Sequence, residues 1–174
     1  MKHITKLSIF DFDGTLINTP LPDSGREIYE KVTGEPWPHK GWWAQPLSLD
    51  MDIFDIRPNE SVVSDYKKEI ADDNTLTVLL TGRLQRLSKE VENILSAYGL
   101  SFDGYFYNTG GSTDSFKIKT MLGLKDQFPS IENIQMWEDR LEHINLFNSW
   151  GQEQINDGNL KRFEVTYVLS DNHK

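Results

Sequence analysis

The chain has 174 residues, 37% hydrophobic and 26% charged, enough for a folded domain with one sizeable core. A net charge of −9 argues against a general nucleic-acid coat or a membrane-surface binder, and the lack of cysteine excludes disulfides and thiolate metal sites. The N-terminus lacks the long apolar region of a signal peptide and no stretch reaches transmembrane length, so a cytoplasmic protein is expected.

In chain order, residues 6 to 12 (KLSIFDF) are a short apolar run ending in a polar turn, which predicts a buried central strand. A helix is expected over 24–33, with Ser24 as its N-cap. Pro36, Pro38, Pro46 and Pro58, together with Trp37, Trp42 and Trp43, then mark a small irregular insertion at about 34–58, packed by aromatics. Asn59 or Ser61 caps a second helix to about residue 71. Residues 75–80 (TLTVLL) read as a second strand, which Thr81-Gly82 is expected to break. Leu84, Leu87, Val91, Ile94 and Leu95 recur at helical spacing, and Gly99 closes that helix. A short strand at 105–107, a turn at 108–111, a helix at 115–128, a strand at 133–137, a helix to about 149 and a last strand at 161–169 complete the series.

Strand and helix alternate throughout. This predicts an α/β fold, a three-layer Rossmann-like sandwich with a mostly parallel sheet, and one domain over residues 1–174. Ligands of such sheets bind beyond the carboxyl ends of the strands. Two positive islands stand out in the acidic chain. Arg83, Arg86 and Lys89 occupy 81–89, and Lys117, Lys119 and Lys125 occupy 115–125, with no acid in either segment. They suggest a local anion site, although helix faces also gather like charges by chance.

Asp11-Phe12-Asp13-Gly14-Thr15-Leu16 follows the first strand directly. Two carboxylates two residues apart point the same way from an extended chain and repel, so they need a cation or a shared proton. Oxygen-only ligands suit Mg2+. Gly14 allows a sharp turn after the second aspartate. The plainer reading of the pair alone is a turn with two solvated aspartates.

DFDGTL after an apolar strand also resembles the first signature of the haloacid dehalogenase (HAD) superfamily. That resemblance implies Asp11 as the nucleophile forming an aspartyl-phosphate and Asp13 as general acid and base. It further implies a phosphoryl-binding Thr81 after the second strand, within Leu80-Thr81-Gly82-Arg83. The free N–H groups of a helix starting just beyond would add anion stabilisation; an N-cap with no substrate is the alternative for Thr81. A lysine should neutralise the phosphate, with Lys117 the candidate and Lys119 its rival. An acidic pair, Glu138-Asp139, completes the Mg2+ site with Asp11 and Asp13. Asp139 is the expected direct ligand, and Glu138 a direct or water-mediated one.

Only 35 residues separate Thr81 from Lys117, so no large cap fits there. Thr81-Gly82-Arg83 and Glu138-Asp139-Arg140 are similar to motifs of polynucleotide kinase-phosphatase phosphatase domains. Trp42-Trp43, Pro46-Leu47-Ser48-Leu49, Phe116-Lys117, His143 and Phe147 extend the likeness, over about residues 5–150, to the HAD domain of Swiss Army Knife RNA-repair-like proteins. The resemblance implies a phosphatase of nucleic-acid ends, with a kinase or ligase as partner. In that reading Arg83 forks onto a phosphate oxygen and the tryptophans of 37–43 stack on a base. A hydrophobic plug under a long loop is the more ordinary role for those tryptophans, and a packing role the more ordinary one for His143. Two readings compete with end healing: a phosphatase of nucleotides or metabolites, and a non-catalytic binding module on the same fold.

Overall fold

A computed structural model of the protein describes residues 3–169; Met1, Lys2 and residues 170–174, included in the domain read from the sequence, lie outside them. Seven strands and five α-helices follow one another: β1 (Lys6–Phe10), β2 (Ile17–Asn18), α1 (Pro22–Thr33), β3 (Arg57–Pro58), α2 (Glu60–Ile70), β4 (Thr75–Leu84), α3 (Ser88–Ala97), β5 (Gly104–Asn108), α4 (Thr113–Gln127), β6 (Asn133–Glu138), α5 (Leu141–Asn156) and β7 (Arg162–Tyr167). Five strands form one sheet in the order β5-β4-β1-β6-β7, and every pairing in it is parallel. The α/β, Rossmann-like expectation is met.

Side-chain alternation along the strands builds two cores. Leu7 and Ile9 of β1, Val78 and Leu80 of β4, and Ile134 and Met136 of β6 face Met121 and Leu124 of α4 and Phe147 of α5. Phe10, Leu79 and Trp137 face the other way, toward Val62, Val63 and Tyr66 of α2 and Val91, Ile94 and Leu95 of α3. Strands apolar on both faces are what a parallel sheet covered by helices requires. No described helix is long and apolar enough to cross a membrane.

The helix ends correct some expectations. Ser24 lies inside α1, which starts at Pro22 with no side-chain cap; proline suits a first-turn position because its missing N–H would go unbonded there. Gly99, at φ 68°, does close α3, with the Leu100 N–H on the Leu95 carbonyl at 2.9 Å and the Gly99 N–H on that of Ser96 at 3.1 Å.

The larger correction concerns β4. It does not break at Thr81-Gly82 but runs on to Leu84, because β5 continues to pair with it: Thr81 lies opposite Tyr107 and Leu84 opposite Asn108. Two residues, Gly82 and Arg83, are therefore accommodated in one step of the partner strand as a bulge, a device that re-aims side chains beside functional sites. The helix expected from Leu84 begins only at Ser88, after a 3-10 turn over Gln85–Leu87.

The insertion is irregular apart from a 3-10 turn over Pro46–Leu49, and its far end is tied by the antiparallel pair β2–β3. Trp42 is its anchor, buried against Phe54 and Trp37. The indole edge lies directly on Gly25 of α1, where a Cβ would come within 2.1 Å of Trp42 Cη2.

Candidate active site

The parallel pairing of β1 with β6 sets the centre of the site. Phe10 is in register with Trp137, and the Asp11 N–H donates to the Trp137 carbonyl at 3.2 Å. Asp11, just past the end of β1, and Glu138, the last residue of β6, are thus carried side by side, and Asp139 follows. A tight loop then reverses the chain: the Leu16 N–H returns to the Asp11 carbonyl at 3.2 Å, and Gly14 takes φ 70°, which a side chain would resist.

Lys117, on the second turn of α4, reaches into this centre. Its Nζ donates to Asp11 Oδ1 at 2.9 Å and Glu138 Oε2 at 2.8 Å, and the side chain is 2% exposed. Lys119, the rival in the sequence, is exposed. Thr15 Oγ1 lies 3.1 Å from Asp11 Oδ2 and 3.4 Å from Asp139 Oδ1, bridging the two carboxylates. Thr15 stands in the DFDGTL signature, whose sequence pattern alone gives it no role.

Asp11, Glu138 and Asp139 are all buried and offer oxygens within 4.8 Å of one another, so the three could hold a metal ion. A single lysine does not balance three carboxylates. Burial, and next the charge of Glu138, push Asp11 up to about 6 despite Lys117. Burial, then the charges of Asp11 and Glu138, push Asp139 up to about 9. For Lys117 burial pulls downward, but Asp11 and Glu138 together hold it above its ordinary value. A donor set of oxygens alone, carrying surplus negative charge, fits a hard divalent cation.

Asp13 is outside that trio. Arg83, turned inward by the bulge, grips it with a two-pronged fork: Nε to Oδ2 at 2.9 Å and Nη2 to Oδ1 at 2.8 Å. Thr19 Oγ1 adds a 2.6 Å bond to Oδ1. The same guanidinium donates through Nη1 to the Trp43 carbonyl at 2.7 Å and to Ser48 Oγ at 2.8 Å, and lies 5.0 Å over the Trp43 ring. With its side chain 1% exposed, Arg83 ties the insertion to Asp13, and the fork that the sequence aimed at phosphate is formed here instead.

Thr81 is completely buried behind these groups, and its Oγ1 accepts the Arg83 N–H at 3.1 Å. It caps no helix, because the strand continues through it. Gly82 lets α4 approach: a Cβ there would meet Thr113 Cγ2 at 2.8 Å. The helix N-termini bordering the site are those of α1, α4 and α5.

These groups open on a cavity of about 370 Å3 whose floor holds Asp11, Asp13 and Lys117 and whose wall includes Trp43 and His143. Burial, then Arg140 and Lys117, hold His143 below its ordinary value, and its buried Nδ1 has no hydrogen-bond partner among the described residues. The tryptophans divide. Trp42 is 3% exposed and Trp37 half-buried, as a plug requires, whereas Trp43 is 43% exposed.

The model of HAD domain family 1 in Swiss Army Knife RNA repair proteins matches residues 19–174, a stretch that begins just after the DFDGTL segment. The chain is 28% identical over 170 residues to Uncharacterized protein YMR265C of Saccharomyces cerevisiae, an overlap of 84% of this chain and 37% of that relative. The chain therefore spans little more than a third of that relative's length. Among solved structures it is similar to the archaeal beta-phosphoglucomutase of Pyrococcus sp. strain ST 04 (TM-score 0.55, 16% identity, 84% of each chain covered). It is also similar to a chain of the Pnkp1/Rnl/Hen1 RNA repair complex (TM-score 0.57, 20% identity, 94% of this chain and 43% of that one). A further likeness is to the HAD domain of effector protein Lem4 from Legionella pneumophila (TM-score 0.56, 12% identity, 100% and 91%). At these identities the structural likeness concerns the fold.

Proposed function

The chain belongs to HAD domain family 1 of Swiss Army Knife RNA repair proteins, and on that premise we propose that it is a Mg2+-dependent phosphatase acting through an aspartyl-phosphate on Asp11. The observation that carries the reading is the buried Asp11 carboxylate held by Lys117 at 2.9 Å, with Glu138 and Asp139 within 4.8 Å.

Asp11 attacks phosphorus, and the bond from phosphorus to the leaving oxygen breaks. Asp13 gives that oxygen its proton, then takes one from the water that cleaves the aspartyl-phosphate, releasing inorganic phosphate and restoring Asp11. Asp13 Oδ1 accepts two bonds and Oδ2 one, so Oδ2 keeps a lone pair for the transferred proton. Lys117 keeps Asp11 ionised and faces the negative charge of the phosphoryl group. Asp11 and Asp139, with Asp13 and Glu138 beside them, would hold Mg2+, which would supply electrostatic stabilisation of the phosphoryl oxygens. Glu138, completely buried and bonded to Lys117, also fixes the lysine.

We assign terminal phosphates of nucleic acid as the substrate. The description of the family and the RNA repair complex among the similar structures support this, and a kinase or ligase as partner. The cavity volume supports a second reading, a phosphatase of nucleotides or other small phosphates, since such pockets run from about 300 to 1,000 Å3. Phosphate release is to be measured with Mg2+ and with chelator, from oligonucleotides phosphorylated at either end, mononucleotides and sugar phosphates. Mg2+-dependent release favouring one oligonucleotide end is the expected result. Release from small phosphates alone would select the second reading, and silence from folded protein would remove both.

A further inference from the structure

We infer that Trp43 is a stacking platform for the base of a nucleoside phosphate, on the leaving-group side of the site. The insertion does not need this indole for its own packing. Trp42 fills the space over Gly25 and meets Phe54, while Trp37 packs on Tyr29 and Trp42 and donates its Nε1–H to the Gly41 carbonyl at 2.9 Å. Trp43 instead lines the cavity and remains 43% exposed, an unusual fate for a side chain with so much apolar surface to bury.

Its position is nevertheless fixed. The carbonyl of Trp43 accepts from Arg83 and that of Ala44 accepts from Arg86 Nη2 at 2.6 Å, while the Arg83 guanidinium covers part of the ring. A ring held in advance loses little freedom when a second ring stacks on it.

The side of the site follows from the chemistry proposed above, on which this inference rests. The leaving oxygen departs opposite the attacking Asp11 and receives its proton from Asp13. Asp13 is gripped by Arg83, and the same guanidinium carries Trp43. Whatever is esterified to the phosphate therefore emerges beside the indole. An aliphatic or sugar leaving group offers that ring no π face, whereas a nucleoside brings a flat base within a sugar's length of the phosphate.

The test compares kcat/KM for adenosine 5′- and 3′-phosphates, oligonucleotides bearing either terminal phosphate, and ribose 5-phosphate, in the wild type, Trp43→Ala and Trp43→Phe. The readout is the preference for base-bearing over base-free substrate, so a general loss through Arg83 cancels. Trp43→Ala should lower that preference about tenfold, as for one stacked base, and Trp43→Phe should restore most of it. Equal dependence with mononucleotides and oligonucleotides would assign the base to a free nucleotide, and dependence with oligonucleotides alone to a nucleic-acid end; both support the platform. An unchanged preference in Trp43→Ala overturns it. Should no substrate be hydrolysed, the phosphatase reading fails and calorimetric binding decides the platform. Adenosine phosphates bound about tenfold more weakly by Trp43→Ala, relative to ribose 5-phosphate, would uphold it; an unchanged ratio, or no binding by the wild type, would overturn it.

Discussion

Phe10 and Trp137 stack face to face across β1 and β6, 4.2 Å between ring centroids and 8° between planes, one residue before Asp11 and Glu138. The indole Nε1–H also donates to Asp65 of α2 at 3.0 Å. The spacing of the two carboxylates is thus set by aromatic packing beneath them, worth about 0.5–1.5 kcal/mol beyond the area buried. The carboxylates themselves contribute repulsion.

Asp11→Asn should therefore leave the far-ultraviolet circular dichroism unchanged while turnover falls by at least about a thousandfold, as expected for loss of a nucleophile. Wild-type protein quenched in acid during turnover of a 32P-phosphorylated substrate should carry label in the peptide containing Asp11, because the phosphoryl group rests on that carboxylate before water attacks the phosphorus. An Asp11 peptide free of phosphoryl label at every time point of a rapid-quench course would rule out the covalent route.

Arg83→Lys replaces a planar fork with a single ammonium, so Asp13 loses one of its two prongs and Trp43 or Ser48 loses its donor. The expected result is kcat lower by about ten- to a hundredfold, a smaller change in KM, and about 1–3 kcal/mol less stability in urea. An arginine acting directly on substrate phosphate would instead show its effect mainly in KM.

Much of the site was legible because it lies at strand ends. Asp11 and Asp13 directly follow an apolar run, Glu138-Asp139 does the same, and Lys117 sits where the next helix turns back over the sheet. Arg83 was readable as a cation near the site but not as the partner of Asp13. Thr-Gly resembles a strand terminator, and a bulge depends on pairing with β5, which local sequence does not encode. Trp43 O and Ser48 Oγ, its other partners, lie in a segment with no periodicity to read.

Asp139→Asn should raise stability in chelator at neutral and alkaline pH. The carboxyl has an ordinary value of 3.8 and about 9 in the fold. Between these values the folded protein holds a proton that the unfolded chain has released, so stability is greatest below the lower value and falls as pH climbs toward the upper one. Thermal unfolding from pH 4 to 9 should show a shallower decline in the variant, with the curves converging at the acid end. Added Mg2+ should raise the midpoint of the wild type more than that of the variant. Parallel curves would contradict this account.

Gly25→Ala tests the seat of the insertion. The new Cβ would lie 2.1 Å from Trp42 Cη2 and 2.5 Å from Cζ2, so the indole must leave its place. A loss of about 1–3 kcal/mol in urea denaturation is expected, together with stronger quenching of tryptophan fluorescence by acrylamide. Trp42→Leu in the same background should recover part of the loss.

The all-parallel sheet has a temporal consequence. β1 pairs with β4 and β6, so Lys6 meets Thr75 on one side and Asn133 on the other. No hairpin supplies an early, local nucleus for these pairings, and each requires a long loop to close before any contact compensates for its lost entropy. During synthesis the segment bearing Asp11 must wait for more than a hundred residues before Glu138 arrives. Refolding should consequently be slow for a domain of this size, and activity should return with the last phase of sheet formation and not with the first helices.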